Sequence, residues 1–114
     1  MDTAGSLLSE DSQIRESLDA IVERLKENQS EITCVRPAGN EESVSYQQAV
    51  ESVESLRGRG LFYPYLSSGR GNGPLVELGD GSIKYDFAIG IGVHFLGHGH
   101  PGLTRAVLEA GLED

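Results

Sequence analysis

The stretch Pro74–Pro101, PLVELGDGSIKYDFAIGIGVHFLGHGHP, decides how this chain folds. Val76 and Leu78 alternate with Glu77 and Gly79, and Ile83, Tyr85 and Phe87 alternate with Ser82, Lys84 and Asp86. A period of two sends the apolar set to one face of a strand and the charges to the other. Between the two runs lies Gly79-Asp80-Gly81-Ser82, and Asp-Gly favours tight turns whose two central residues take positive φ. The segment therefore predicts a β-hairpin. Ala88 to Leu96 is mostly apolar with Gly90 and Gly92 at alternate positions, which predicts a strand with a glycine face open to a backbone, a ring or a ligand. Pro101 suits the first position of a helix, where its missing N–H costs nothing.

Upstream of the hairpin, Leu61 to Gly73 (LFYPYLSSGRGNG) reads as an aromatic, then glycine-rich loop. Tyr63, Tyr65 and Arg70 are candidates to line a site, because phenols and guanidinium offer directional donors to carboxylates or phosphates. The simpler reading has Phe62 and Tyr65 covering an apolar patch. Further back, Ser45 to Arg57 predicts an amphipathic helix with Tyr46, Ala49, Val50, Val53 and Leu56 on one side. Ser45 and Gln48 form a capping-box pair, and Gly58 or Gly60 closes it. Glu31 to Ser43, with Pro37, Gly39 and Asn40, reads as a linker. From Ser9 onward Ile14, Leu18, Ile21, Val22 and Leu25 recur at helical spacing, with Ser9 or Asp11 as cap and Asn28 as stop. Met1 to Leu8 reads as a frayed tail. Downstream of Pro101, Leu103, Ala106, Val107 and Ala110 sketch a third, short helix.

The 114 residues carry a formal charge of −9, with three histidines, one cysteine and no tryptophan. That balance argues against general affinity for nucleic acid or anionic membrane, both of which reward clustered Lys and Arg. The charge is uneven: residues 1–56 hold 12 acids and 4 bases, residues 57–114 hold 6 acids and 5 bases. Thirteen of the 15 glycines lie in the second half. The expected organisation is an acidic helical segment over 1–57, with its linker near 31–43, followed by a glycine-rich hairpin and helix over 58–114. The acidic outer face of the first helix reads as a solvated surface. No apolar run is long enough to span a membrane, and the N-terminus lacks the pattern of a signal peptide. With Cys34 alone, no internal disulfide is possible, which fits a reducing cytoplasm.

Two patterns around the histidines invite other chemistry. Gly97-His98-Gly99-His100-Pro101-Gly102 matches G-x-G-x-x-G between a possible strand and a helix, the setting of a dinucleotide phosphate site. Its surroundings argue otherwise, since no second half of a βαβ unit follows and the proline stiffens the turn. No Lys-Ser or Lys-Thr follows a glycine run, which excludes a P-loop. His94, His98 and His100 would share one face of a strand at spacings that metal sites use. The run holds no cysteine or carboxylate to complete a tetrahedral set, so turn histidines bonded to backbone are the expected reading.

Taken together, G-x-G-P-x-x-x-L-x-D-G-x-x-x-Y-D-F, then G-I-G-V, then L-G-H-x-H-P and a helix with Ala-Val resembles the N-terminal region of class III pyridoxal-phosphate-dependent aminotransferases. This is the ornithine, acetylornithine and 4-aminobutyrate transaminase group. The resemblance covers Gly71 to about Ala110, and its most specific parts are Asp80-Gly81 with Tyr85-Asp86-Phe87, and Gly97-His98-x-His100-Pro101. Leu78 departs from it, standing where an acid is usual.

The resemblance implies an α+β piece of an α/β fold-type I transferase: two amphipathic helices, a β-hairpin or meander and a short helix, contributing to the small domain. It implies a cytoplasmic homodimer that moves an amino group between an amino compound and a 2-oxo acid, with pyridoxal 5′-phosphate as cofactor of the parent protein. It further marks Ile91, Gly92 and Val93, and more loosely Tyr63, as substrate-side positions, and the Gly-His-x-His-Pro element as structural. The Schiff-base lysine, the acid for the pyridinium nitrogen and the phosphate cradle all lie beyond residue 114 in that family. Here only Lys26 and Lys84 are present, both expected on wet faces. This chain alone is therefore expected neither to bind the cofactor nor to transaminate, and to contribute no catalytic or metal-binding residue. It is expected to be marginal or oligomeric in isolation. The alternative is a non-catalytic acidic module that binds a protein partner.

Overall fold

The computed structural model describes residues 3–39 and 42–113. Eight elements follow in order: α1 (Ala4–Glu10), α2 (Ser12–Gln29), α3 (Glu42–Arg57), β1 (Ser67–Asn72), β2 (Leu75–Leu78), β3 (Ile83–Tyr85), α4 (Ile89–Gly92) and α5 (Pro101–Ala110). The first is a correction: of the segment read as a frayed tail, Met1 and Asp2 lie outside the described residues, and Thr3 to Leu8 form a cap and helix. Thr3 and Ser6 make a reciprocal capping box at its start, a local signal that binds two otherwise orphan donors. Asp11 then caps α2, its carboxylate accepting from the Gln13 and Ile14 N–H groups. Leu18 and Val22 are the buried residues of α2.

Three antiparallel strands form a meander in the order β1-β2-β3. β1 lies inside the segment read as a loop. Asn72 pairs with Leu75 across Gly73, whose φ of 55° meets the need of a two-residue hairpin for a left-handed first residue. The predicted hairpin between β2 and β3 is present, but its turn differs. Among the described residues of the turn only Gly81 takes positive φ, the Gly81 N–H donates to the Leu78 carbonyl, and the Leu78 N–H donates to Ser82. This is a three-residue loop closed by a left-handed glycine, which adds one residue to the strand connection.

The extra residue shifts the faces. Glu77 stands opposite Ile83 and Val76 opposite Lys84, so the predicted single apolar face is split. Leu75 and Ile83 join Ile32 in a small core, while Val76, Leu78 and Lys84 share the other face. Ile32 comes from the predicted linker, where Arg36 exchanges both backbone hydrogen bonds with Ile83 and so covers the open edge of β3.

α2 packs against α5 and β1. The Arg70 guanidinium donates to Asn28 Oδ1 and to the Leu25 carbonyl, and Gln29 Nε2 donates to the His98 carbonyl (3.0 Å). Arg70, a candidate site residue in the sequence, is thus a strut between β1 and α2. α3 begins three residues before the predicted Ser45 cap, and Gly58 (φ 70°) closes it as predicted. Its Tyr46 hydroxyl accepts from the Leu66 N–H (2.8 Å).

The chain is elongated, with a radius of gyration of 18.1 Å and extents of 58 × 33 × 25 Å, where a compact domain of this length would have about 13 Å. Among the described residues no helix is long and apolar enough to cross a membrane.

Candidate functional site

Ala88 to Leu96 is not the predicted glycine strand. Ile89 (φ 44°), Gly90 (φ 60°) and Ile91 (φ 60°) run left-handed in succession, and α4 is a single coiled turn. Left-handed backbone costs a β-branched residue roughly 1–2 kcal/mol, so something outside the turn must hold it. Asp86 supplies that hold. Its Oδ1 accepts from the Ala88 and Ile89 N–H groups at 3.0 and 2.9 Å, and the Gly90 Cα lies so close to His94 that an added Cβ would meet its ring at 2.8 Å.

The other carboxylate oxygen of Asp86 meets His98 Nε2 at 2.7 Å. Burial pushes the Asp86 carboxyl up, but the His98 hydrogen bond and the two backbone donors outweigh it and hold it below the ordinary carboxylate range. His98 in turn stacks on His94, ring centroids 4.1 Å apart. Its backbone exchanges two hydrogen bonds with Gly73. Gly71, Gly97 and Gly99 let these segments touch: a Cβ on Gly71 would lie 2.6 Å from both His98 Cβ and the Leu75 carbonyl oxygen. His100 caps α5, its Nδ1 accepting from the Leu103 N–H. The three histidines therefore do not share a strand face. Among the described residues no three His, Cys, Asp or Glu side chains are grouped to hold a metal ion.

This framework builds a groove of about 560 Å³ over the outer face of β2 and β3. Its walls are Tyr63 and Tyr65 from the incoming loop, Tyr85 at the end of β3, and Phe87 and Ile91 from the outgoing segment; its floor is Val76, Leu78 and Lys84, and Asp86, His94 and His98 close one end. Of the four predicted site positions, Tyr63 and Ile91 line this groove. Gly92 and Val93 do not, and Val93 is 73% exposed outside it. Phe62, expected to cover an apolar patch, is 86% exposed and meets only the edge of Tyr63 in the aromatic contacts. Lys84, Asp86 and His98 were not singled out as site residues. The turn register that turns Lys84 inward depends on the extra residue at Gly81, and the Asp86–His98 pair spans 12 residues without a periodic signal.

A larger hollow, about 700 Å³, lies between α1, α2 and α5. Its cations are already engaged: Arg15 bonds the Ser9 carbonyl, and Arg105 bonds Asp19 and Glu109. It is a gap in helix packing, and the sheet groove is the better site because its cation, Lys84, has no ion-pair partner among the described residues.

These residues do not form a pyridoxal phosphate site. Lys26 pairs with its α2 neighbour Glu23, and Lys84 is exposed. Asp86, the carboxylate that lines the groove, is engaged by His98 and two N–H groups. The first turn of α5 begins with Pro101 and is capped by His100, which leaves no phosphate cradle there. No family model, curated protein or solved structure matches this chain.

Proposed function

We propose that this chain forms the substrate-side wall and part of the small domain of a class III pyridoxal-phosphate-dependent aminotransferase, as the N-terminal portion of a cytoplasmic homodimeric enzyme. The observation that carries this reading is the meeting of Tyr63 and Ile91 in one groove. They are 28 positions apart in sequence, and the resemblance marks both as substrate-side. The glycine-packed His98 segment supports it too, because a half-buried Asp–His pair gives the Gly-His-x-His-Pro element a structural task. The chain's own residues position an apolar, aromatic wall; the cofactor, its lysine and the proton transfers belong to another part of the enzyme.

A large apolar surface is left uncovered beside the groove. Phe87 is 91% exposed, Ile91 84% and Phe95 82%, and large apolar side chains gathered within nine residues of chain are candidates for a contact surface. In the proposed enzyme this surface lies against the cofactor domain or the second subunit.

The test is the intact mass of the natural protein purified from its source, read with its absorbance. A product several times 12.2 kDa with a Schiff-base band near about 400–430 nm is expected. A product of 12.2 kDa without that band would overturn the reading in favour of the acidic interaction module.

A further inference from the structure

We propose that the sheet groove selects a small carboxylate with an aromatic or branched apolar body, and that Lys84 is the residue that holds the carboxylate. This names the ligand class of the groove and rests on reading it as a substrate wall.

Its size suits such a ligand, since about 560 Å³ falls within the range of roughly 300–1,000 Å³ seen for small-molecule sites. Its lining is aromatic and aliphatic, so the body of the ligand is apolar. The polar groups decide its charge. Asp86 is the groove's acid, and its charge is met by His98 Nε2 and the Ala88 and Ile89 N–H groups. Three donors thus already engage it, which weakens its pull on an incoming amine. Lys84 stands on the floor between Val76 and Leu78, across the strand pair from Val76. Asp80, which shares a second hollow with it, is held by the Ser82 N–H and hydroxyl at 2.9 and 2.6 Å. Lys84 and Asp80 attract each other through space without forming an ion pair. Among the described residues the ammonium is thus the one charge in the groove whose hydrogen bonds are open to a ligand. The net charge of the whole chain is acidic and most of that excess lies in residues 1–56; of that segment, Glu54 of α3 shares that neighbouring hollow with Lys84 and accepts from the Leu61 N–H.

The experiment is a 1H–15N nuclear magnetic resonance titration of the 114-residue chain, without cofactor, with 4-phenylbutyrate, 4-phenylbutanol and 4-phenylbutylamine. The three probes share a body and differ in charge. The carboxylate is expected to bind with a dissociation constant of roughly millimolar size, shifting the amides of Lys84, Tyr85 and Ile91. It should exceed the amine by about threefold or more, a margin set by an exposed ion pair. Lys84→Met should abolish the preference, and Lys84→Arg should keep it, which separates loss of charge from loss of fold. Equal or tighter binding of the amine overturns the proposal. So does a preference that survives Lys84→Met, or shifts confined to the hollow between α1, α2 and α5. Because no cofactor is present, failure here leaves the mass and absorbance test of the transaminase reading untouched.

Discussion

The α2–α5 pair and the sheet groove are held together by different kinds of contact. α2 is specified within itself: a cap at Asp11, an apolar stripe ending in Leu18 and Val22, and surface pairs such as Arg24–Glu27 and Lys26–Glu23. The groove rests on contacts between residues far apart in sequence. Arg36 bridges Ile83, Asp86 holds His98, and Gly71 admits the His98 side chain. A helix can therefore absorb changes one residue at a time, while the groove fails when one junction fails.

Core truncation should break the comparison most sharply. Ile83 is 2% exposed and joins β3, the Arg36 bridge and the Ile32 contact, so Ile83→Ala should cost about 2–5 kcal/mol. Urea denaturation followed by tyrosine fluorescence would read the loss, with the groove signal disappearing before α2 helicity in circular dichroism. A wild-type midpoint would remove Ile83 from the core.

Glycine to alanine should act with opposite signs in the two regions. Gly71→Ala meets backbone and His98 at 2.6 Å and should cost about 1–3 kcal/mol through overpacking. Gly5, inside α1, has only the Thr3 hydroxyl at 3.9 Å, so Gly5→Ala should add up to about 1 kcal/mol through helix propensity. Melting temperatures of the two variants that move in the same direction would contradict this division.

Acid should loosen the groove before the helices. The Asp86 and Asp80 carboxyls are both held below their ordinary value. For each, burial acts upward and is outweighed, by His98 and backbone donors in one case and by Ser82 in the other. A depressed carboxyl contributes stability that is complete above its unfolded value, about 3.9, and is lost as pH falls through its lower native value. Asp86→Asn should flatten the stability profile between about pH 5 and pH 2, and at neutral pH cost about 1–3 kcal/mol by weakening a half-buried acceptor. An unchanged acid profile would detach Asp86 from groove stability.

Asp11→Ala should have the smallest effect, about 1 kcal/mol for a lost cap. Amide exchange should rise in the first turn of α2 and stay unchanged at Lys84 and His98. Increased exchange throughout the groove would show the two regions to be one cooperative unit.

Several elements were readable because their signals lie within a turn or two of chain. The stripe from Ile14 to Leu25, the stop at Gly58, Pro101 at the head of α5 and the alternation around Val76 and Ile83 all led to elements that are present. α1 was missed although Thr3 and Ser6 cap it, because its exposed Leu7 and Leu8 make no extended stripe. β1 was missed because Ser67 to Asn72 has almost no apolar content; Asn72-Gly73 before Pro74 was the signal that could have revealed its turn. The predicted glycine strand failed because alternation of Gly90 and Gly92 is equally compatible with a left-handed turn, and only the Asp86 carboxylate chooses between them.

By itself the sequence determined where helices start and stop, which segments pair as a hairpin and how charge divides between the halves, since propensity, capping and periodicity act over a few residues. Tertiary structure alone decided that Tyr63, Lys84 and Ile91 face one groove, that Arg70 is a strut and that Asp86 and His98 form a half-buried pair. The reason is physical: one extra residue at a left-handed Gly81 reverses which side chains a strand presents, and a carboxylate finds its partner only after the chain between them has been folded back.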